Sequence, residues 1–308
     1  MAVRGRFAPS PSGRMHLGNL LAALLAWLDV RSQGGTMVLR IEDLDPQRCS
    51  LDKAKQLAED LQWLGLDWDE GGLEPAYCQS NRSHYYQEAF HRLESMGLIY
   101  PCYCTRAQRL AASAPHASDG AVVYNRRCAH LTPAQRQELE AEGRRPAYRV
   151  RVPHREVTVT DGHMGPYTQQ LDADCGDFIV RRSDGVWAYQ LAVVVDDALM
   201  GVNHVVRGCD LLSSSPAQAW LHRTLGYEPP RFYHLPLLVD AQGRRLSKRD
   251  RDLDMGVLRE KYTPQELVGL LAWLAGLQDT PKSATPAGLI PRFQWAKVPK
   301  NPIVFGSP

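Results

Sequence analysis

At 308 residues the chain exceeds one typical domain, and its 44% hydrophobic and 23% charged residues can bury a sizeable core, which excludes wholesale disorder. A formal net charge of +2 is too small to demand nucleic acid, and seven cysteines without a regular framework of pairs point to a reducing compartment. No run of about 18 apolar residues could span a bilayer, and the signal-like run Leu17–Leu28 lacks a small-residue cleavage site and ends in Asp29, so a cytoplasmic protein with no membrane partner is expected.

Residues 3–8 suit a short strand, and 16–33 suit a helix burying Leu17, Leu20, Leu21, Leu24, Leu25 and Leu28. Gly34-Gly35 ends that helix, and Met37–Ile41 reads as the next strand, running into Glu42, Asp43 and Asp45. Ala54, Leu57, Ala58, Leu61 and Leu64 mark a second helix stopped by Gly65. Strand–helix–strand–helix in this order predicts a parallel sheet flanked by helices, with ligands beyond the carboxyl ends of its strands. From about residue 98 the character changes. Cys102, Cys104, a loose Ala/Ser/Gly stretch at 111–121, Tyr124 and Cys128 suggest an inserted module, and 147–182 suggest short antiparallel strands with turns at Asp161-Gly162 and Asp184-Gly185. The parallel pattern is predicted to resume with strands at Leu191–Val195 and Val205-Val206. A later helix over 264–277 has Thr263 and Glu266 as its capping box and Pro264 in the first helical position.

Two short motifs carry chemistry. In R-F-A-P-S-P-S-G-R-M-H-L-G-N (6–19), a strand end and a Pro/Ser/Gly turn open a helix, a place where backbone N–H groups can hold phosphate. His16 and Asn19 offer donors there, and Gly18 lets a nucleotide lie against the backbone. R-L-S-K-R (245–249) supplies Ser247, Lys248 and flanking arginines to phosphate charge. Alone, a histidine at a helix start is more often structural and a basic run is usually solvated surface; together they describe a triphosphate site without a Walker-type loop. Arg144, Arg145, Arg149, Arg151 and Arg155, followed by Arg181 and Arg182, can grip a phosphate backbone, although a solvated face reads the same way.

These residues resemble class I aminoacyl-tRNA synthetases of the glutamyl type. His16-Leu17-Gly18-Asn19 is similar to H-I-G-H and R-L-S-K-R to K-M-S-K-S, while R-F-A-P-S-P-S-G, R-I-E-D-L-D (40–45) and V-R-G-C-D-L (206–211) match the glutamyl pattern. The likeness spans essentially the whole chain. Asn19 replaces the second His, Arg245 the first Lys and Arg249 the final Ser, each retaining charge or hydrogen-bonding capacity. The resemblance implies an α/β fold: a Rossmann-type doubly wound parallel sheet with an inserted zinc-containing α+β subdomain and a short helical tail. It divides the chain into a first half (1–97), an insert (98–187), a second half (188–250) and a tail (251–308).

It also implies an ATP-dependent ligase for L-glutamate, with Mg²⁺ accompanying ATP as co-substrate. His16 and Lys248 would serve catalysis, and His16, Gly18, Asn19, Ser247 and Lys248 would bind ATP. Arg6, Phe7, Ala8, Pro9, Ser10, Glu42, Tyr189 and Arg207 would bind the amino acid. Charge makes this sensible: guanidinium groups pair carboxylates bidentately and Glu42 suits an ammonium. Cys102-x-Cys104 with Cys128 offers three thiolates for one structural zinc. The resemblance names Tyr124 as fourth ligand, a place that His116 or His130 could contest. Cys49, Cys78, Cys175 and Cys209 carry no spacing signal.

After residue 249 only a short tail follows, where full glutamyl-tRNA synthetases carry an anticodon reader. The chain therefore most resembles the truncated glutamyl-Q tRNA(Asp) synthetases, which attach glutamate to the queuosine base in the anticodon of tRNA(Asp); a monomer is expected. Alternatives are a truncated glutamyl-tRNA synthetase charging a 3′ end and a non-catalytic tRNA-binding regulatory paralogue.

Overall fold

The computed structural model describes residues 2–105, 123–244 and 253–305. The amino-terminal part runs β1 (Arg4–Phe7), α1 (Leu17–Ser32), β2 (Thr36–Leu39), α2 (Leu51–Trp63), β3 (Glu70–Gly71) and α3 (Ser83–Ser95). Then come β4 (Ile99–Cys102), α4 (Pro133–Ala141), β5 (Ala147–Val150), β6 (Glu156–Asp161), β7 (Gly165–Gln170) and β8 (Phe178–Arg181). The remainder is α5 (Tyr189–Leu199), β9 (His204–Gly208), α6 (Ser215–Thr224), β10 (Arg231–Leu235), β11 (Leu238–Val239), α7 (Met255–Lys261), α8 (Pro264–Leu274), α9 (Pro286–Leu289) and β12 (Ile303–Val304).

The central sheet has five strands in the order β10-β9-β1-β2-β3, and every pairing in it is parallel. The chain winds outward from β1 through β2 to β3, then returns on the other side of β1 with β9 and β10. The order reverses between β1 and β9, the kind of switch point at which such sheets bind ligands. Arg6 and Arg207 lie on these two neighbouring strands.

Helix α1 is buried almost all round, because the sheet covers one side and the carboxyl-terminal helices α8 and α9 cover another. Leu17, Leu20, Leu21, Leu24, Leu25 and Leu28 are fully enclosed, as their spacing predicts. Asp29, on the same helix, accepts from His204 Nδ1 at 2.9 Å and from Trp295 Nε1 at 2.8 Å. Burial of that carboxylate is tolerable because both oxygens are paired. The contact ties the tail to the sheet, and Trp295 stacks on Tyr233 of β10 with ring centroids 5.0 Å apart.

The helix predicted over 264–277 forms as Pro264–Leu274, with the expected Thr263/Glu266 capping box. Residues 191–195, however, lie in α5 and not in a strand. A continuous apolar run has no period that separates a buried strand from a buried helix. Here Leu191 to Asp197 are all buried, as suits a helix enclosed on every side.

The middle of the chain forms an antiparallel sheet β4-β5-β8 and an antiparallel hairpin β6-β7. The hairpin turns over residues 161–165 and packs against α6 and β10, so Asp161 reaches the edge of the central sheet. Arg182 and Gly185 close the tight turn at 182–186. No helix of the described residues is long and apolar enough to cross a membrane.

Candidate active site

A cavity of about 420 Å³ opens at the carboxyl edge of the central sheet. Arg6 to Ser10, His16, Gly18, Asn19, Glu42, Tyr189 and Arg207 all line it. Strand ends far apart in sequence thus converge on one cavity. Ser247 and Lys248 lie outside the described residues.

At the nucleotide end, His16 is the N-cap of α1. Its Nδ1 accepts from the Gly18 amide at 3.2 Å, which leaves the neutral ring's hydrogen on Nε2. Asn19 Oδ1 accepts from the His16 amide at 3.2 Å, closing a capping box. The Gly18 and Asn19 amides are thus held by His16, so the expectation of open N–H groups at this terminus is corrected for these two. The helix dipole and the imidazole are what this end offers an anion. A Cβ on Gly18 would stand 3.2 Å from His16 Cε1, so glycine gives the ring its room.

The other end is a buried charge network. Arg40, fully enclosed, donates to Asp197 Oδ1 at 2.7 Å and to Glu42 Oε1 at 3.2 Å. Arg6 donates through Nη1 to the Val206 carbonyl at 3.0 Å and faces Asp197 at 3.8 Å, but its buried Nε has no hydrogen-bond partner among the described residues. Burial pushes the Arg6 pKa down, against the pull of Asp197 and with Arg40 and Arg207 adding repulsion. A carboxylate beside Arg6 would relieve both strains. Burial likewise raises the Glu42 carboxyl, although Arg40 and Arg6 oppose it; a bound ammonium would favour its ionised form. Tyr189, at the first turn of α5, has its hydroxyl pushed up by burial.

Arg207 is held differently. Its Nε donates to His234 Nε2 at 2.9 Å, Nη1 to Gln218 Oε1 at 2.8 Å, and Nη2 to Ser215 Oγ at 2.8 Å and the Leu211 carbonyl at 3.4 Å. A guanidinium has five N–H groups, so Arg207 keeps one beyond these four bonds. It offers charge and a single hydrogen bond, where Arg6 retains the capacity for a bidentate pair. Asp196, which binds Arg82, Gln79 and Tyr86, braces α5 from behind. Sequence reading missed Arg40, Arg82, Asp161, Asp196, Asp197 and His234; charged residues inside apolar runs were the available signal.

A second cluster lies in the middle region. The Sγ atoms of Cys102, Cys104 and Cys128 are within 4.8 Å of one another. The Tyr124 hydroxyl stands 3.4 Å from Cys102 Sγ and 3.7 Å from Cys104 Sγ. Zinc–sulfur bonds of about 2.3 Å place tetrahedral sulfurs near this separation, so the donor set fits such an ion. His130 is exposed and outside this group, and His116 lies outside the described residues. The Cys102 thiol is held well below its ordinary pKa, chiefly by the hydrogen bond from Cys128 and with help from Tyr124 and Arg149, against the cost of burial. Arg149 is buried, points Nε at Cys102 Sγ at 3.4 Å and lies 3.7 Å over the Tyr124 ring. It therefore leaves the arginine run read as a phosphate grip. Arg151 likewise sits over Tyr100, and Arg182 pairs with Asp184 and Asp45.

The family described as tRNA synthetases class I (E and Q), catalytic domain, matches residues 2–305. A protein of Symbiobacterium thermophilum named glutamyl-Q tRNA(Asp) synthetase is 50% identical over 97% of this chain and 94% of its own. One of the same name from Nitratidesulfovibrio vulgaris is 46% identical over 98% and 95%. Among solved structures, a glutamate tRNA ligase from Elizabethkingia meningosepticum in complex with its amino acid superposes with a TM-score of 0.82 at 28% identity, covering 99% of this chain and 67% of that one. A parallel-sheet cavity lined by the 6–19 motif, matched by homology along nearly the whole chain, identifies the chain as a class I tRNA synthetase-type ligase of the glutamyl-Q tRNA(Asp) synthetase family.

Proposed function

We propose that this protein activates L-glutamate with ATP and transfers it to the queuosine base of tRNA(Asp). The observation that carries the amino-acid assignment is Arg6: a buried cation whose Nε makes no hydrogen bond among the described residues, beside Glu42 and Arg207, in the cavity that His16 also lines. One carboxylate of glutamate lies against Arg6, Arg207 adds charge and one hydrogen bond, and Glu42 takes the ammonium. The α-carboxylate attacks the α-phosphate of ATP and pyrophosphate leaves. Such a step depends on positioning and charge stabilisation, to which His16 and Lys248 contribute. A hydroxyl of the queuosine cyclopentene ring then attacks the acyl carbon, and AMP departs. The names of relatives at 50% and 46% identity support this acceptor.

We read residues 1–97 and 188–250 as the two halves of the catalytic unit, 98–187 as its insert and 251–308 as its tail. Within the insert, Cys102, Cys104, Tyr124 and Cys128 would hold one structural zinc, which on binding would cross-link β4 to the segment around 124–128. The deciding experiment incubates the protein with ATP, labelled glutamate and tRNA with or without queuosine. Label on queuosine-containing tRNA(Asp) alone is the expected result. The likeness to a glutamate tRNA ligase favours one rival, charging of a tRNA 3′ end; label on tRNA(Glu) would establish it. Absence of glutamate-dependent ATP–pyrophosphate exchange in the presence of tRNA would favour a non-catalytic role.

A further inference from the structure

Arg207 owes its orientation to a chain of buried groups that begins on the β6-β7 hairpin. Asp161 Oδ1 accepts from the His163 amide at 2.9 Å and the Met164 amide at 2.7 Å, so the turn of the hairpin fixes the carboxylate. It also accepts from the His234 amide at 3.2 Å, while Oδ2 accepts from His234 Nδ1 at 2.6 Å. Because the ring's Nδ1 carries the hydrogen, Nε2 is an acceptor, and Arg207 Nε donates to it at 2.9 Å. Asp161 and His234 are buried, as is Arg207. Neither Asp161 nor His234 is among the residues that line the cavity.

We propose that Asp161 and His234 are positioning residues for glutamate: Asp161 sets the tautomer of His234, and that tautomer presents the one lone pair that locks Arg207 Nε and aims its remaining N–H at the substrate carboxylate. The groups charged or titratable around His234 are Asp161 on β6, Arg207 on β9 and Arg6 on β1. Burial lowers the His234 pKa, Asp161 opposes this, and Arg207 and Arg6 reinforce it, so the ring stays neutral and keeps its acceptor. A protonated ring, or the tautomer with its hydrogen on Nε2, would point an N–H at the N–H of Arg207. Two side chains outside the cavity lining thereby govern how a carboxylate is received. The role assigned to Arg207 rests on the glutamate reading given under Proposed function.

Asp161→Asn tests the idea with almost no change in volume. The Asn oxygen keeps the bonds from the turn amides, and its NH₂ then faces His234 Nδ1, which drives the ring to the tautomer that repels Arg207. ATP–pyrophosphate exchange with tRNA present should show KM for glutamate raised about tenfold, with KM for ATP within about twofold. His234→Phe should do the same, and His234→Gln, which offers both an acceptor and a donor, should restore most of the glutamate KM. Melting temperatures show whether each variant is folded; where Asp161→Asn is not, His234→Phe against His234→Gln carries the comparison, and equal glutamate KM in those two overturns the proposal. A folded Asp161→Asn enzyme with unchanged glutamate KM, or with both KM values raised equally, overturns the proposal. Arg207→Lys separates the two levels: if it leaves glutamate KM unchanged, the assignment of Arg207 to the carboxylate fails, whereas a large effect there beside a silent Asp161→Asn defeats only the positioning role.

Discussion

Arg149 shows how far one side chain can depart from the company its number keeps. It stands in a run of arginines, yet it faces the Cys102 thiol and the Tyr124 ring, supplying positive charge beside the cysteine cluster. Outer partners of metal ligands commonly contribute about 10–100-fold to affinity. On the zinc site proposed above, Arg149→Met is expected to weaken zinc retention at least about tenfold, measured by chelator competition on the purified protein, with Cys104→Ser as the control that loses a proposed ligand outright. Unchanged retention would limit Arg149 to packing. At the other motif, removing a cation that stabilises developing charge costs about 3–4 kcal/mol. Lys248→Ala should slow glutamyl-adenylate formation about a hundredfold or more, and near-normal pyrophosphate exchange would refute its role.

At the scale of elements, sequence reading succeeds where a period or a cap leaves one answer. The leucine spacing of α1, the capping box of α8 and the glycine stops after α1 and α2 all identify their elements, because each rests on local geometry that tertiary contacts do not override. It fails at α5, where every residue from 191 to 197 is buried and no polar face reveals the turn. The site divides along the same line. Residues in contiguous motifs, His16 and Arg6 among them, are legible; Asp161, Asp197 and His234 matter through pairings across 73 residues or more, which no local pattern displays. The tail is a further case: its role appears only in contacts such as Trp295 Nε1 to Asp29. Trp295→Ala removes that bond and the stack on Tyr233, and should cost roughly 2 kcal/mol in urea unfolding. A cost near zero would mean the tail is merely laid on the surface.

For the whole molecule, buried histidines make stability depend on acidity. Burial lowers the pKa of both His222 and His234 below the ordinary value. The unfolded chain therefore binds more protons than the folded one once pH drops below about 6.5, and stability falls from there through the lowered folded values. Each group contributes at most about 1.4 kcal/mol per pH unit. Asp161 and Asp197 are depressed against the cost of burial, by His234 and by Arg40 respectively, and extend the loss to lower pH as they protonate. Urea midpoints should fall between pH 7 and pH 5, and His222→Gln should flatten the decline; a flat profile in the parent protein would contradict the neutral-histidine picture.

The short pairing of β11 with β12 has a practical side. The Ile303 and Phe305 amides donate to the carbonyls of Leu237 and Val239 at 2.9 and 2.8 Å, and Leu237 and Leu238 form part of the cavity wall. The carboxyl-terminal strand thus buttresses the rim where substrates enter, whereas Ala2 and Val3 lead into the amino edge of the sheet at its far side. An affinity handle or fluorophore attached behind Phe305 would hang beside the doorway and report on, or obstruct, whatever passes through; one placed ahead of Val3 would stay clear of the traffic.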